Sequence, residues 1–460
     1  MSITNEALTS LIKEQLKYSP AAPFLKRIWE YGDNKLLVCE FSIKRTRFGI
    51  DVAPQADSEG VVSLKLSWRK PYNELLHKFK YNKVVLINEI GFYLNEVVSQ
   101  CKELSSYASK RVVDNKNTTI GIMNFHFANN YGAVLVPFAL LKTIGKLGYK
   151  AEIINYVPKV NPPRRDYIEF RRVFLNISDQ TKVLSTKQDL NDVQNKYHKI
   201  VVGSDQVWRL FDTSTYMLDF VYGYKTLISY AASFGGSRFK KLTNDRAISL
   251  LNRFDAISVR ENTGVDICNN QFGLPAMQVL DPTLLLTAED YQPIIEYFNP
   301  KVISGDYIAY SIINRANMEN VSTFIERMEK LMNITFKNLL SKPNVKEVNS
   351  VGGWINDIKN ASYVVTDSFH ATVFSILHRK KFVCLVTHAN GADRIPSLLK
   401  MLNIDISSRV VDSLDKITPE MLHSEIDYAP VFERIKYLRE KSVLFLENAL
   451  VKAPNFKSRL

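Results

Sequence analysis

From residue 118 onward, short apolar runs alternate with longer segments whose apolar residues recur at helical spacing. Residues 119–125 and 151–157 have the length and composition of buried strands, and residues 132–146 between them have the spacing of a helix. Gly148 stands just past that segment, where a glycine commonly ends a helix. This order predicts a βαβ unit.

The alternation continues to about residue 400, with an interruption at residues 299–306 that has the Pro, Gly and Asp of a connection. The predicted strands are residues 199–202, 226–231, 256–259 and 277–280 before the interruption, and 307–313, 334–339, 363–366 and 382–386 after it. The predicted helices are residues 240–253, 262–270, 318–332, 354–361, 371–379 and 395–402. Strands separated by helices predict two α/β domains with mostly parallel sheets that are covered on both faces.

Residues 1–115 show a different pattern and form a predicted unit of their own. Residues 36–52 and 61–68 have strand-like composition, whereas residues 84–108 have apolar residues at helical spacing. The polar residues 110–117 suit a linker. We therefore predict a small amino-terminal α+β unit, which either helps to place an acceptor or a partner or serves as a structural cap.

The length and composition are those of a multidomain globular protein. A chain of 460 residues exceeds what one compact core usually holds, and its 46% hydrophobic content argues against disorder. The net charge of +13 favours an anionic partner, such as a phosphorylated substrate, an acidic glycan, a membrane surface or nucleic acid. Many soluble enzymes are equally basic, so the charge alone does not choose among these partners.

Cysteine usage and the amino terminus predict a soluble cytoplasmic protein. The four cysteines are far apart and form no CxxC pair, so neither a zinc site nor a disulfide framework is expected. The first 13 residues lack the layout of a signal peptide, and the apolar run 132–141 is far shorter than the roughly 18 residues of a membrane span. The sequence contains no Walker loop, GxSxG motif, HExxH spacing or nucleic-acid-binding module.

His370 is the strongest single candidate for catalysis. It follows the predicted strand 363–366 at the start of a helix, with Asp367 or Ser368 as the N-cap. A helix amino terminus favours phosphate or carboxylate, and a histidine there can bind an anion or transfer a proton. The alternative interpretation is a histidine that only helps to cap or pack the helix.

Polar residues also follow the predicted strand 119–125. We predict that Asn129, Asn130 and Tyr131 bind substrate, because the asparagines could hydrogen-bond sugar hydroxyls, and Gly132 would let the helix start approach a ligand. The loop lacks the glycines of a dinucleotide-binding GxGxxG motif. The alternative is that these residues only shape a turn.

A third strand end carries Asp205 and Trp208, within the stretch Gly-Ser-Asp-Gln-Val-Trp. Asp205 is a candidate catalytic base that could accept a proton from an acceptor hydroxyl, and Trp208 could stack on the face of a sugar. The alternative is a helix N-cap followed by a packed tryptophan, which is a common structural arrangement.

Two arginines stand at further strand ends. Arg260 follows the predicted strand 256–259, and Arg394 opens a helix after the loop 388–393. Arginine binds phosphate and carboxylate bidentately, so both are predicted to bind an anionic substrate, although a single such arginine is more often a salt-bridge residue. The basic run of Arg164, Arg165, Arg171 and Arg172 is interpreted as a solvated loop or helix face.

Taken together, these motifs resemble those of the polysaccharide pyruvyl transferase family. In chain order they are NNYGAVL at 129–135, GSDQVW at 203–208, YAASFG at 230–235, ISVRE at 257–261, LDPT at 280–283 and TDSFHATVF at 366–374. Their order and spacing together are specific, although the single motifs are not. The resemblance covers residues 119–402, which is most of the chain outside the amino-terminal unit.

The resemblance implies a glycosyltransferase-B-like fold with two Rossmann-like domains that face a cleft. Residues 116–300 would form the acceptor side and residues 301–430 the donor side, and a helix within residues 431–460 would pack back on the first domain. The implied reaction transfers a pyruvyl group from phosphoenolpyruvate to a sugar of a surface polysaccharide or its lipid-linked precursor, forming a pyruvate ketal. His370 and Arg260 match residues that the family uses for phosphoenolpyruvate.

The resemblance also sets the expected partners. They are phosphoenolpyruvate, a sugar acceptor that is either free or lipid-linked, and the inner membrane surface as a peripheral contact, with no nucleic acid. We expect no metal and no cofactor besides the donor substrate, because cationic side chains can balance the donor charge.

One departure from the family pattern concerns Ser368. Better-known members often have an arginine at this position, two residues before the histidine. The anion contact is therefore missing unless Arg394 or Arg209 supplies it, and we retain Ser368 itself as a substrate-binding residue. Two alternative functions stay open: a glycosyltransferase of the same fold that uses a nucleotide sugar, and a non-catalytic glycan-binding or assembly protein.

Overall fold

The computed structural model describes residues 118–158, 164–179, 183–209, 213–221, 225–239, 242–314, 320–340, 349–387 and 393–451, together with six strands before residue 81. The chain divides into two compact units. One contains Met1–Asn115, Val221–Thr226 and Ala453–Leu460, and the other contains Lys116–Phe220 and Leu227–Lys452.

The described strands of the first unit form two antiparallel sheets. One sheet pairs β1 (Leu25–Tyr31) with β2 (Leu36–Ile43) and β2 with β3 (Thr46–Val52). The other pairs β4 (Gln55–Ala56) with β5 (Val61–Ser67) and β5 with β6 (Glu74–Lys80). Strands were predicted within residues 36–52 and 61–68, and the predicted helix 84–108 lies outside the described residues.

The larger unit begins with a six-stranded sheet. Its strands are β7 (Ile120–Met123), β8 (Ala151–Ile153), β9 (Lys199–Val202), β10 (Thr226–Ala232), β11 (Ala256–Val259) and β12 (Met277–Gln278). Their order in the sheet is β12-β11-β10-β9-β7-β8, and the pairs β7–β8, β7–β9, β10–β11 and β11–β12 are parallel. Every residue of β7, β10 and β11 is buried, as expected for a parallel sheet that is covered on both faces.

Helices connect the strands of this first α/β domain. They are α1 (Tyr131–Lys146), α2 (Arg165–Phe174), α3 (Lys187–Val193), α4 (Thr213–Tyr216), α5 (Asn244–Leu251), α6 (Asn262–Asp266) and α7 (Gln292–Phe298). A short π-helical segment, Ile267–Gln271, follows α6 directly.

A second parallel sheet follows, with the order β14-β13-β15-β16-β17. Its strands are β13 (Tyr307–Ser311), β14 (Thr335–Asn338), β15 (Tyr363–Thr366), β16 (Lys381–Leu385) and β17 (Val410–Val411), and every neighbouring pair is parallel. The accompanying helices are α8 (Val321–Met332), α9 (Val351–Asn360), α10 (Phe369–Leu377), α11 (Arg394–Met401) and α12 (Pro419–His423).

The last helix, α13 (Tyr428–Val451), contacts both α/β domains. Near its start, the Tyr428 hydroxyl donates to the backbone carbonyl of Lys380 in the second domain at 2.5 Å. Further along, Ser442 Oγ accepts from the backbone N–H of Leu280 in the first domain at 3.0 Å. Two parallel α/β domains joined in this way have the glycosyltransferase-B-like architecture, so the predicted fold class is confirmed for this unit.

Helix α2 carries most of the basic run of the sequence. The sequence predicts a solvated loop or helix face for its basic residues, and the structure has a helix on which Arg165 and Arg172 are exposed, while Tyr167 and Phe170 are buried. Among the helices that the structure describes, none is long and apolar enough to cross a membrane.

Candidate active site

Two helices begin beside each other at the carboxyl ends of the two sheets. Helix α1 starts after β7, and the Asn130 side chain caps it by accepting from the backbone N–H of Ala133 at 3.3 Å. Helix α10 starts after β15, and Ser368 Oγ caps it by accepting from the backbone N–H of Ala371 at 3.4 Å. The carboxyl ends of parallel strands are where ligands bind in such folds, and helix amino termini favour anions.

His370 and Gly132 mark the place where these helix starts meet. His370 is only 8% exposed, and its ring fills the space next to Gly132. A Cβ atom added at Gly132 would lie 2.0 Å from His370 Nδ1, which is far inside van der Waals contact. The first domain therefore supplies one wall around the histidine of the second domain.

Asp281 lies on the other side of His370, at the start of the LDPT motif. Its Oδ2 accepts from Ser204 Oγ at 2.9 Å and from Arg260 Nη1 at 3.2 Å, and it lies 3.8 Å from His370 Nε2. Its Oδ1 accepts from both the backbone and the hydroxyl of Thr283. Burial alone would raise the pKa of the Asp281 carboxyl, but His370, Arg260 and Thr283 hold that pKa well below its usual range. Asp281 is therefore a carboxylate at neutral pH.

Arg260 is fully buried and only partly satisfied by its neighbours. Its guanidinium lies 4.3 Å from the centre of the Phe369 ring, and its Nε is 3.8 Å from Glu261 Oε2. Burial would lower the pKa of Arg260, but Asp281 and Glu261 raise it above the usual value. Within the described part of the chain, Nε and Nη2 of Arg260 and Nε2 of His370 are buried without a hydrogen-bond partner. Buried donors of this kind are rare in native structures and call for an explanation.

Arg394, on the second domain, joins the same charged group. Burial, together with the nearby Arg260, lowers the pKa of its guanidinium to about 10, while Asp205 and Glu261 act in the opposite direction. Arg209 is also close enough to contribute to the lowering. The structure therefore brings Arg260, Arg394 and Asp205, which are far apart in sequence, within electrostatic reach of one another.

Asp205 has an unusual backbone conformation at this site. Its φ of 115° lies in the region that favours glycine, and Asp205 Oδ1 accepts from the backbone N–H of Gln206 at 2.7 Å. Its backbone carbonyl accepts from the N–H groups of Val207 and Ser233. Non-glycine residues in such conformations occur preferentially at functional sites, so this strain supports a role for Asp205 in the cleft.

The sequence comparison adds to this geometry. The sequence model of the family described as polysaccharide pyruvyl transferase matches residues 130–388, more than half of the chain. The chain belongs to the polysaccharide pyruvyl transferase family. The predicted family membership is thus confirmed, and it supports a transferase that modifies glycans.

The range matched to the family includes His370, Asp281, Arg260 and Asp205, whereas Arg394 lies beyond its end. Arg394 is therefore assigned to the site by its position in the structure. No curated protein sequence gives a significant match to this chain.

Several solved structures are similar to this member of the pyruvyl transferase family at low sequence identity. UDP-GlcNAc 2-epimerase from Methanocaldococcus jannaschii is 12% identical, with 69% of this chain and 92% of that chain covered and a TM-score of 0.43. UDP-N-acetylglucosamine 2-epimerase from Rickettsia bellii is 10% identical, with 72% and 96% covered and a TM-score of 0.45. E. coli heptosyltransferase WaaC with ADP is 13% identical, with 65% and 96% covered and a TM-score of 0.36.

Trp208 corrects one prediction. Its ring is fully buried, packs 4.9 Å from the Phe234 ring, and donates through Nε1 to the backbone carbonyl of Tyr216 at 3.0 Å. A ring with no exposed surface cannot stack on a sugar in this structure. The packed tryptophan of the alternative interpretation is what the structure contains.

Tyr131 also has structural contacts. Its hydroxyl donates to the backbone carbonyl of Asn349 at 2.8 Å, and its ring stacks on Trp354 with the ring centres 5.0 Å apart. Both partners belong to the second domain, so Tyr131 helps to hold the two domains together. Substrate binding by Tyr131, Asn129, Asn130 and Ser368 stays a prediction.

Arg171 was missed by the sequence interpretation. From α2, its Nε donates to the carbonyl of His126 at 2.6 Å, and its Nη2 donates to the carbonyls of Phe127 and Ala128 at 2.8 Å each. Nη2 also reaches the side-chain oxygen of Asn129 at 3.5 Å. Arg171 therefore fixes the loop after β7 from which α1 starts, and burial lowers its pKa to about 10.

Asp281 and Glu261 belong to the LDPT and ISVRE motifs, but the sequence predicts no individual role for them. Glu261 Oε1 accepts from Ser233 Oγ at 2.8 Å and from the backbone N–H of Phe234 at 3.0 Å, so it fixes the YAASFG turn. Their position within shared motifs was the signal that could have found them. No group of three or more His, Cys, Asp or Glu residues suited to a metal ion occurs in the part of the chain that the structure describes.

Proposed function

We propose that this protein transfers the pyruvyl group of phosphoenolpyruvate to a sugar of a surface polysaccharide or of its lipid-linked precursor, forming a pyruvate ketal. Family membership supports the transferase class. The observation that carries the choice of donor is the buried Arg260, whose Nε and Nη2 lack partners among the described residues, beside His370 at the start of α10. Buried, unpaired donors at a helix amino terminus suit an anion.

Phosphoenolpyruvate offers two anionic groups, a phosphate and a carboxylate. In the proposal, Arg260 binds one of them through Nε and Nη2, which make no hydrogen bond within the described residues, and Arg394 contributes charge from the second domain. The N–H groups in the first turn of α10 have no acceptor within the helix, as at the start of any helix, and they add to the positive electrostatic potential at the proposed donor site. Arg394 thereby takes the place of the arginine that other family members have where this chain has Ser368, which caps α10.

His370 is the proposed general acid. It transfers a proton to the methylene carbon of the donor, which becomes the methyl group, while the adjacent carbon becomes oxocarbenium-like. A sugar hydroxyl adds to that carbon, and its proton passes to a base and restores the proton that His370 gave up. The bond from the same carbon to the phosphate oxygen then breaks, a second hydroxyl adds to the carbon and closes the ketal, and the proton of this hydroxyl leaves with the phosphate. Inorganic phosphate leaves, so that atoms and charge balance.

Asp281 and Asp205 have separate roles in this scheme. Asp281, 3.8 Å from His370 Nε2, stabilises the protonated imidazole and orients it, as a buried carboxylate does beside a catalytic histidine. Asp205 is the proposed base for an acceptor hydroxyl. Its electrostatic interaction with Arg260 and Arg394 supports a position for it on the first-domain side of the proposed donor site.

A second candidate function rests on Ser368. The loss of an arginine at this position is compatible with a glycosyltransferase that uses a nucleotide sugar, a donor with a diphosphate in place of the compact anion. A scaffold without turnover is a third candidate. The cytoplasmic location, the lipid-linked acceptor and the peripheral contact with the inner membrane also belong to the proposal.

Calorimetric titration of the full chain distinguishes these functions. We expect phosphoenolpyruvate to bind with the highest affinity, inorganic phosphate with an intermediate affinity, and UDP-N-acetylglucosamine with a much lower affinity than phosphoenolpyruvate. Arg260→Ala is the matched variant, because it removes the guanidinium whose Nε and Nη2 lack hydrogen-bond partners among the described residues. Binding of the nucleotide sugar alone would replace the proposal with the glycosyltransferase, and binding of neither ligand would favour the scaffold without turnover.

A further inference from the structure

Gly132 has no conformational reason to be a glycine. It lies in the first turn of α1 and is absent from the residues with positive φ, which include Gly148, Gly235 and Gly273. Its backbone conformation is therefore open to any amino acid. Glycine in a helix is also less favourable than alanine, because it loses more conformational freedom on folding.

The space around Gly132 gives the reason. The three atoms nearest to an added Cβ all belong to the His370 imidazole: Nδ1 at 2.0 Å, Cε1 at 2.5 Å and Cγ at 2.6 Å. A methyl group and this ring cannot occupy the same place. Gly145, in the same helix, provides a contrast, because an added Cβ there meets no atom within 4 Å.

We infer that Gly132 is a positioning residue for His370. Because Gly132 has no side chain, the first turn of α1 can lie directly against the Nδ1 side of the imidazole. On the other side of the ring, Asp281 Oδ2 lies 3.8 Å from Nε2. Gly132 and Asp281 belong to the first domain and His370 to the second. The histidine therefore takes its place only while the two domains are packed together at α1 and α10.

The contact between Gly132 and His370 does not depend on the proposed function, but its expected effect on turnover does. With alanine at position 132, either the imidazole rotates away or the starts of α1 and α10 separate. Each change moves His370 by about 1 Å or more, and such a displacement costs on the order of 100-fold in rate. Phosphoenolpyruvate binding through Arg260 should be retained.

A thermal unfolding cycle tests the contact without any substrate. The full chain is compared with Gly132→Ala, His370→Ala and the double variant, with Gly145→Ala as the control in the same helix. We expect Gly132→Ala to lower the melting temperature by a few degrees, because a methyl group forced into an occupied space is destabilising. In the His370→Ala background the same substitution should leave the melting temperature unchanged or raise it, as Gly145→Ala does in the unaltered chain.

The imidazole itself provides the second measurement. The chain has seven histidines, and the ¹⁵N–¹H signals of His370 are assigned from those lost in His370→Ala. Gly132→Ala should shift these signals, whereas Gly145→Ala should not. A fold that is lost in Gly132→Ala and restored in the double variant also supports the inference.

Three results would overturn it. The first is that the His370 signals are unchanged in folded Gly132→Ala. The second is that Gly132→Ala lowers the melting temperature equally in the unaltered chain and in the His370→Ala background. The third is that Gly132→Ala is unfolded and the double variant is equally unfolded. Titration with phosphoenolpyruvate is separate from these measurements. Failure of the donor to bind the unaltered chain would refute the proposed function and leave the test of the Gly132–His370 contact intact.

Discussion

His370 Nε2 lies 3.8 Å from Asp281 Oδ2, so one buried carboxylate of the first domain faces the histidine of the second. The same oxygen accepts from Arg260 Nη1 at 3.2 Å. Asp281 thus links the proposed acid to the proposed donor-binding arginine. The site exists as a unit only when both domains contribute to it.

Asp281→Asn should destabilise the fold and nearly abolish turnover. The amide keeps the size of the side chain but removes the charge opposite Arg260 and His370. Breaking a buried ion pair by altering one partner typically costs about 3–5 kcal/mol, because it leaves a buried charge uncompensated. The measurement is the free energy of unfolding in denaturant.

Asp412→Asn is the control for this variant. Asp412 pairs with Lys416 on the surface, where both side chains are at least half exposed. Such pairs contribute about 0–1 kcal/mol. Equal unfolding free energies for the two variants would show that Asp281 does not carry the buried charge network.

Arg260→Ala and Arg394→Ala should both weaken binding of phosphoenolpyruvate. A hydrogen bond to a charged group contributes about 1.5–3 kcal/mol, which corresponds to roughly a 10- to 150-fold rise in the dissociation constant. Arg246, exposed on α5, supplies the control variant Arg246→Ala. An unchanged dissociation constant in Arg394→Ala would refute the idea that Arg394 compensates for Ser368.

Arg171→Met should loosen the loop 126–129. The substitution removes the side-chain donor to three backbone carbonyls, of which only that of Ala128 keeps a second donor among the described residues, the backbone N–H of Asn130. The expected cost is about 1–3 kcal/mol. We expect faster hydrogen exchange in a peptide covering residues 124–133, measured by mass spectrometry. Arg172→Met is the matched control, because Arg172 is exposed on the same helix and pairs with Glu169. Identical exchange in the two variants would remove Arg171 as the residue that holds the loop.

Mild acid should destabilise the protein through His126. Burial lowers the pKa of His126 to about 4, from 6.5 in the unfolded chain, and its ring nitrogens contact Asn124 and Asn155. Between these pH values the unfolded chain binds more protons, so the free energy of unfolding falls as the pH drops from about 6.5 to about 4.

The pH dependence of His126→Gln gives the measurement. The contribution of one such histidine is at most on the order of 3 kcal/mol, and His378, with a pKa also lowered to about 4 by burial, adds to the total. His126→Gln should flatten the decrease in melting temperature between pH 7 and pH 5, and His423→Gln, at an exposed position, should not. An equally steep decrease in both variants would contradict this assignment.

The local pattern of apolar and polar residues was sufficient to predict most of the described strands and helices of the two α/β domains. The predicted strands 199–202, 256–259 and 363–366 match β9, β11 and β15, because buried parallel strands are short, continuous apolar runs. For α2 the sequence prediction leaves loop and helix open, because its three arginines suit any solvated segment, although Tyr167, Phe170 and Phe174 recur on one face.

Of the residues at the candidate site, the sequence could predict only those that belong to recognisable motifs or stand at strand ends. His370, Arg260 and Asp205 stand at strand ends, and the structure brings them together at one edge. The role of Arg171 depends on a contact with a loop some 45 residues away, and the burial of Trp208 depends on Phe234 and Tyr216. Such tertiary contacts leave no local pattern in the sequence.

The most direct test of the central claim is transfer of label from phosphoenolpyruvate to a glycan. Glycan and lipid-linked oligosaccharide are extracted from a source strain that lacks this gene, so that unmodified acceptor is present. They are incubated with ¹³C-labelled phosphoenolpyruvate and the purified chain, and the product is analysed by NMR. We predict a labelled ketal methyl group on the glycan with release of phosphate, and its absence with His370→Ala. Unlabelled glycan with the folded, unaltered chain, combined with transfer of a sugar from a nucleotide sugar, would contradict the account.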